Sequence, residues 1–293
     1  MRTAPAGSDE ASRTGSPHWG PARVAEVMDA LRHRQREVPA WVLAEARADG
    51  DEIVRHACAA VERALITNHL PELLRADVRV AVLVAPDAAS AAEPLLDALG
   101  ELGTTVHAVA GDPTLDLGLP SLPHPRLHVC TGNALGRFGT VGAVRLLRVV
   151  RATMTAADRL LLGLDLRRDR AVLEDEGHDA AGARAATHLG VLRLLNRELG
   201  ADFDARQFAY TVRYDADLRR VDTSLVARRA LFVETARHGS IVLRQGESIR
   251  TAVDCKFDRG RVDAMLSGVG LRATSWWTDA AERFALVVAA PAA

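Results

Sequence analysis

Apolar residues recur at helical spacing between Pro21 and Leu74, as in Ile53, Ala57, Val61 and Leu65, with Pro39 and Pro71 as punctuation. This pattern predicts a helical section over 21–75. The period then changes. VRVAVLVA (78–85) is an unbroken β-branched run, the pattern of a strand buried on both faces, and it leads through Asp87 into an Ala/Leu helix that stops at Leu99-Gly100. TVHAVAG (105–111), RLHVCTGN (126–133) and RLLLGLDL (159–166) predict three more strands, with VGAVRLLRVVRATM as an amphipathic helix before the last. Strands alternating with helices imply a parallel sheet covered on both faces.

After Asp165 the order changes. A long helix through GARAATHLGVLRLLNRELG stops at Gly200, and FAYTVRYD, RRVDTSLVARR, ALFVETARHGSIVLR and ESIRTAVDCKF follow as an expected antiparallel meander. VDAMLSGVG predicts a helix closed by glycine, and LRATSWWTD and RFALVVAA two closing strands. The opening MRTAPAGSDEASRTGSPHWG is small and polar, which predicts a flexible tail over 1–20. The expected organisation is that tail, a helical part of the substrate side (21–75), an α/β core (76–170), an α+β insertion (171–256) and a closing helix with strands (257–293).

Composition narrows the partner. With 48% hydrophobic residues the 293-residue chain can bury a substantial core, and 37 Lys+Arg against 38 Asp+Glu leave a net charge of -1. No global field attracts nucleic acid or an anionic membrane, so a small molecule is the expected partner. Cys58, Cys130 and Cys255 lie far apart, which argues against a disulfide framework and a zinc site and suits a reducing cytoplasm. No apolar run of 18 residues and no signal-peptide pattern occurs. Lys256 is the only lysine in an arginine-rich chain, a hint that guanidinium would not serve there.

The stretch LLLGLDLRRDRAVLEDEGHDAAGARAATHLGVLRLLNRELGADFD (160–204) resembles the SAM-dependent histidine Nα-methyltransferases of ergothioneine biosynthesis. The resemblance continues through YDADLRRVDTSLVARR, through QGESIRTAVDCKF, which is similar to the family's GE.I.TE.S.K, and through GVGLRATSWWTD and FALVV. It implies an α/β fold: a Rossmann-like methyltransferase sheet, here truncated, with a second α+β substrate-type domain. It also implies SAM held by a glycine turn after the first strand and an acid after the second. The corresponding turn here is Val84-Ala85-Pro86-Asp87-Ala88-Ala89, without glycine, and Ala110-Gly111-Asp112-Pro113 resembles a later element near the adenine. One strand and helix are therefore expected to be missing, together with the ribose-binding acid. Asp87, Gly111 and Asp112 are the cofactor candidates if SAM is retained; otherwise no cofactor is favoured.

The implied substrate pocket is altered as well. CTGNALGRF (130–138) aligns on GSTIGNF and puts Arg137 at a substrate-holding asparagine; the family tyrosine falls on Gly177, its Glu-Met pair on Asp222-Thr223, and the Glu and Ser of TE.S on Ala252 and Asp254. Arg137 can clamp an anion, His178-Asp179 can do acid or base work near neutral pH, and Asp222 and Asp254 can split acid and base roles; these five are the catalytic candidates. Asn133, Asp165, Ser224, Lys256 and Trp276 are candidate substrate contacts, although Asp165 also suits a helix cap and Lys256 a structural lysine of the family. His107, His128 and His188 read as structural, without metal-ligand spacing. The expected function is SAM-independent acid/base chemistry on a natural-product intermediate, as dehydratase, conjugate-addition enzyme or cyclase. Its alternatives are SAM-dependent N-methylation of an amino acid or amine other than histidine, and a non-catalytic binding protein.

Overall fold

The computed structural model describes residues 19–33, 36–48, 58–74, 78–84, 92–109, 112–178 and 182–292. Four helices come first: α1 (Pro21–Arg32), α2 (Ala40–Ala48), α3 (Ala59–Asn68) and the short α4 (Leu70–Leu73). The α/β part follows as β1 (Val80–Leu83), α5 (Glu93–Glu101), β2 (Thr105–Ala108), β3 (Arg126–Cys130), α6 (Ala134–Arg137), α7 (Gly139–Ala152) and β4 (Arg159–Asp165). Then come α8 (Arg170–Gly177), α9 (Ala183–Leu199), β5 (Phe208–Asp215), β6 (Arg220–Ala227), β7 (Leu231–Thr235), β8 (Gly239–Leu243) and β9 (Ser248–Cys255). The chain closes with α10 (Arg259–Ser267), β10 (Leu271–Thr278) and β11 (Phe284–Pro291).

The core sheet runs β10-β11-β4-β3-β1-β2, with β1 to β4 parallel and β11 antiparallel to both its neighbours, so β10 runs in the direction of β4. Its central strands are buried along their length, as their unbroken apolar runs require. β2 pairs directly with β1 and is largely exposed, so it is the sheet's edge with no strand between the two. Chain order runs outward on both sides of the β1/β3 gap, which makes their carboxyl ends the switch point where such sheets take ligands.

The expected meander resolves into two pieces. β5, β6 and β9 form an antiparallel sheet, whereas ALFVETARHGSIVLR folds on itself as a separate β7–β8 hairpin. The 21–75 section also divides. α1 and α2 pack with α9 and the β5-β6-β9 sheet, whereas Leu65, Ile66 and Leu73 of α3 and α4 pack on the core sheet against Leu161, Phe284 and Leu286. Trp19, counted within the expected flexible tail, is buried instead: its backbone amide donates to Glu198 Oε2 at 3.0 Å and its indole to Glu45. Residues 1–18 lie outside the described set.

α9 stops where the sequence places its glycine. Gly200 has φ 60°, and a Cβ there would lie 2.6 Å from the Ala236 Cβ. Gly200→Ala is therefore expected to lower stability by about 2 kcal/mol, from left-handed strain plus the clash, read as a lower urea midpoint.

Candidate active site at the carboxyl ends of the strands

β3 ends in a turn whose residues Gly132 (φ 65°) and Asn133 (φ 52°) are both left-handed, a conformation asparagine tolerates better than most side chains. The turn places the Asn133 amide between three elements. Its Oδ1 accepts from the Asp165 backbone N–H at 2.9 Å, and its Nδ2 donates to Asp254 Oδ1 and, at 3.1 Å, to the Cys255 carbonyl. β3, β4 and β9 are thus tied together by one fully buried side chain.

A chain of charges continues from there. Lys256 Nζ donates to Asp254 Oδ2 and Asp165 Oδ2, both at 2.7 Å, and Arg167 binds both oxygens of Asp165 and then Glu176 at 2.6 Å. Asp165 and Lys256 are buried, whereas the Asp254 side chain keeps 33% of its surface exposed. Burial works against the Lys256 charge, but Asp254 and Asp165 outweigh it and hold the amine above its ordinary range. The same surroundings push the neighbouring Cys58 thiol up to about 12, by burial first and the Asp165 charge second, so it is no thiolate nucleophile.

Of the sequence candidates, the structure brings Asn133, Asp165, Lys256 and Asp254 together. Asp222 and Ser224 are set apart from them. In β6 they pair with Val253 and Arg250 of β9, and paired residues share a face, so they stand on the face opposite Asp254. The expected Asp222/Asp254 acid/base pair does not form; Asp222 is held by Arg220 at 2.7 Å and Arg250 at 3.4 Å. Trp276 is also corrected: it packs on the core below α10 with Arg259 over its ring at 5.6 Å, on the outermost strand. Its neighbour Trp277 takes the other face and stacks on His69 at 4.3 Å.

His178 closes α8, exposed, with Nδ1 2.8 Å from the Glu174 carbonyl. A carbonyl only accepts, so Nδ1 donates to it. Asp179, Asp87 and Gly111 lie outside the described residues. Asp112 is described, and its Oδ1 is taken by the Thr114 N–H and hydroxyl, both at 2.8 Å, so it caps its own turn. Arg137 ends α6, half-buried, and is not free. The position matching the family tyrosine, Gly177, has no room for a side chain: a Cβ would lie 2.5 Å from Val212 Cγ1. His128 donates or accepts at Thr153 with burial lowering it to about 4, and His188 pairs with Thr251 at 2.7 Å, both as structural groups.

Glu62 was not among the candidates. It lies on α3 with no exposed surface, and both its oxygens sit within 3.0 Å of the Gly132 amide nitrogen. Burial pushes the carboxyl up to about 8 against the lowering effect of that amide. In the sequence it stands beside Arg63 in AAVERALI, a charged pair that carries no local mark of burial. Among the described residues no cluster could hold a metal ion, and no helix is long and apolar enough to cross a membrane.

The family described as histidine-specific methyltransferase, SAM-dependent, matches residues 60–291, from α3 to the last strand. A histidine N-alpha-methyltransferase of Mycolicibacterium smegmatis is 38% identical over 190 residues, covering 64% of this chain and 59% of that protein. One from Mycobacterium tuberculosis is 34% identical over 194 residues, with the same coverage of 64% and 59%. The chain thus spans about three fifths of the length of these curated relatives. Among solved structures, the CcbJ methyltransferase of Streptomyces caelestis is 15% identical with a TM-score of 0.41, covering 86% of this chain and 96% of that one. On the match over 60–291, this chain belongs to the family of SAM-dependent, histidine-specific methyltransferases.

Proposed function

We propose that the protein is a SAM-dependent N-methyltransferase whose acceptor is an amine or amino acid other than histidine. The observation that carries this is Asp254: a carboxylate one-third exposed, held between Asn133 and Lys256 in the crevice outside the strand ends, at the position where the motif GE.I.TE.S.K that this stretch resembles has a serine. A carboxylate there favours an acceptor that brings a positive charge or several N–H donors, and disfavours a neutral ring presenting a lone pair. Ala252 and Gly177, which stand for the family's glutamate and tyrosine, remove two further contacts that would read an imidazole.

The crevice suits the donor as well. Within the hydrogen-bonded chain three carboxylates (Glu176, Asp165, Asp254) face two cations (Arg167, Lys256), an excess of negative charge complementary to a sulfonium. When bound, SAM supplies an electrophilic methyl group. The Gly132–Asn133 turn and the β1 end would wall the donor; Asp254 would orient the acceptor nitrogen, and the exposed His178 imidazole would be the base that takes its proton. The expectation of SAM-independent acid/base chemistry loses ground on two counts: family membership favours methyl transfer, and its carboxylate pair stands on opposite faces.

Calorimetry with SAM and S-adenosylhomocysteine, followed by a mass-spectrometric screen of amine acceptors, tests the proposal. Donor binding with methylation of a cationic amine and none of histidine is expected; absence of donor binding, or turnover of histidine itself, overturns it. Asp254→Ser is expected to raise KM for the cationic acceptor about ten- to a hundredfold, the loss of one charge-assisted hydrogen bond, while Lys256 keeps Asp165 as partner.

A further inference from the structure

Glu62 has three properties that packing alone does not explain. It is a carboxyl with no exposed surface in the apolar layer between α3 and the core sheet, beside Leu65, Leu161 and Phe284. Among the described residues its hydrogen bonds go to one backbone amide, that of Gly132. Burying an acid for a single neutral donor is unfavourable, and an aliphatic side chain would fill the same volume at lower cost.

The sheet makes room for it. Gly163 interrupts the apolar run of β4, yet its backbone is not left-handed, so no conformational need calls for glycine. A Cβ at Gly163 would lie 1.7 Å from Glu62 Oε1 and 2.8 Å from its Cδ, with Phe284 Cε1 at 3.2 Å closing the other side. The slot at Gly163 is the seat of the Glu62 carboxyl.

From that seat Glu62 reaches the one turn on which the site depends. Gly132 and Asn133 are consecutive left-handed residues, an arrangement that needs an outside restraint. Asn133 in turn joins Asp165, Asp254 and Cys255. The turn also forms one wall of the β1/β3 switch point.

We propose that Glu62 is a positioning residue of the transfer site: seated in the Gly163 slot, it holds the Gly132 amide and so fixes the turn that walls the donor crevice and carries Asn133. This rests on the SAM-dependent function proposed above. It makes the docking of α3, an element with no side chain in the charge chain itself, a condition for an ordered donor site.

The test compares SAM affinity and thermal stability in wild type, Glu62→Gln and Glu62→Leu. Leucine keeps the volume and removes the acceptor; it is expected to melt no lower than wild type while weakening SAM about tenfold or more, and glutamine, whose carbonyl still accepts, is expected to stay within a few-fold of wild type. Glu62→Leu binding SAM as tightly as wild type overturns the proposal. If Glu62→Leu does not fold, Gly163→Ala and Gly163→Ala/Glu62→Ala decide: removing Glu62 relieves the clash, so melting temperature is expected to recover in the double variant and SAM affinity not to, whereas recovery of both overturns the proposal. Should wild type itself bind no SAM, the functional proposal fails, and amide hydrogen exchange at Gly132 judges this one separately. Exchange faster in Glu62→Leu than in wild type, beyond any change at neighbouring amides, supports it, and equal exchange overturns it.

Discussion

Lys256→Met is expected to destabilise the protein by about 3 to 5 kcal/mol, the cost of removing one partner from a buried ion network and leaving the others uncompensated. Lys256 has 1% of its surface exposed and sits 2.7 Å from both Asp165 and Asp254. Methionine matches its length, so packing is preserved and the loss reports the charge. Asp165 keeps Arg167, which limits the damage there, but among the described residues Asp254 retains only Asn133 and is driven toward solvent. The urea midpoint should fall at unchanged slope. An unchanged midpoint would show that the network relaxes around the gap. Lys256→Arg is also expected to lose stability, since a planar fork cannot occupy a slot shaped for one nitrogen between two carboxylates, and this accounts for a lone lysine in an arginine-rich chain.

The second large effect is a pH dependence set by Glu62. Its carboxyl is raised from 4.5 to about 8, so the native state binds the proton more tightly than the unfolded chain. The stabilisation linked to that proton is fully present below about pH 4.5 and is lost as the pH rises through about 8. At roughly 1.4 kcal/mol per unit, the span amounts to about 4 to 5 kcal/mol. Glu62→Gln cannot titrate, so its stability relative to wild type is expected to rise by that amount between pH 5 and pH 9 in parallel denaturation series. Parallel curves for the two proteins would mean that the carboxyl is already ionised in the fold, with a partner beyond the Gly132 amide.

Much of the architecture was legible along the chain because burial on both faces writes an unbroken apolar run. RLLLGLDL and RLHVCTGN became β4 and β3, and the glycine after NREL stopped α9 at Gly200. The described helices of the 21–75 section were legible as helix but not as to which core each serves, since helical periodicity shows that a face is buried and not against what. The hairpin was missed for a similar reason: alternation predicts strands, and pairing partners depend on where the turns bring them.

The site divides in the same way. Asn133, Asp165, Lys256 and Asp254 were picked out by residue type and family position, and the fold gathers all four. Asp222 and Asp254 looked equivalent because both lie on strands of one meander, yet the Thr223/Ser224 register shift and the pleat put them on opposite faces. Glu62 was passed over because nothing local distinguishes a buried glutamate on a helix from a solvated one. Its meaning appears only when Gly163 and Gly132, 101 and 70 positions away, are seen beside it.

By itself the sequence determined the alternation of elements, the parallel order of the core and the kinship with a methyltransferase family, since these follow from periodicity and local composition carried residue by residue. Only the tertiary structure decided which charges face one another, which glycine is a seat for a carboxyl, and which turn is held from behind. Those depend on contacts between residues distant in the chain, where distances of a few ångströms and exclusion of water set the energies, and no local pattern encodes them.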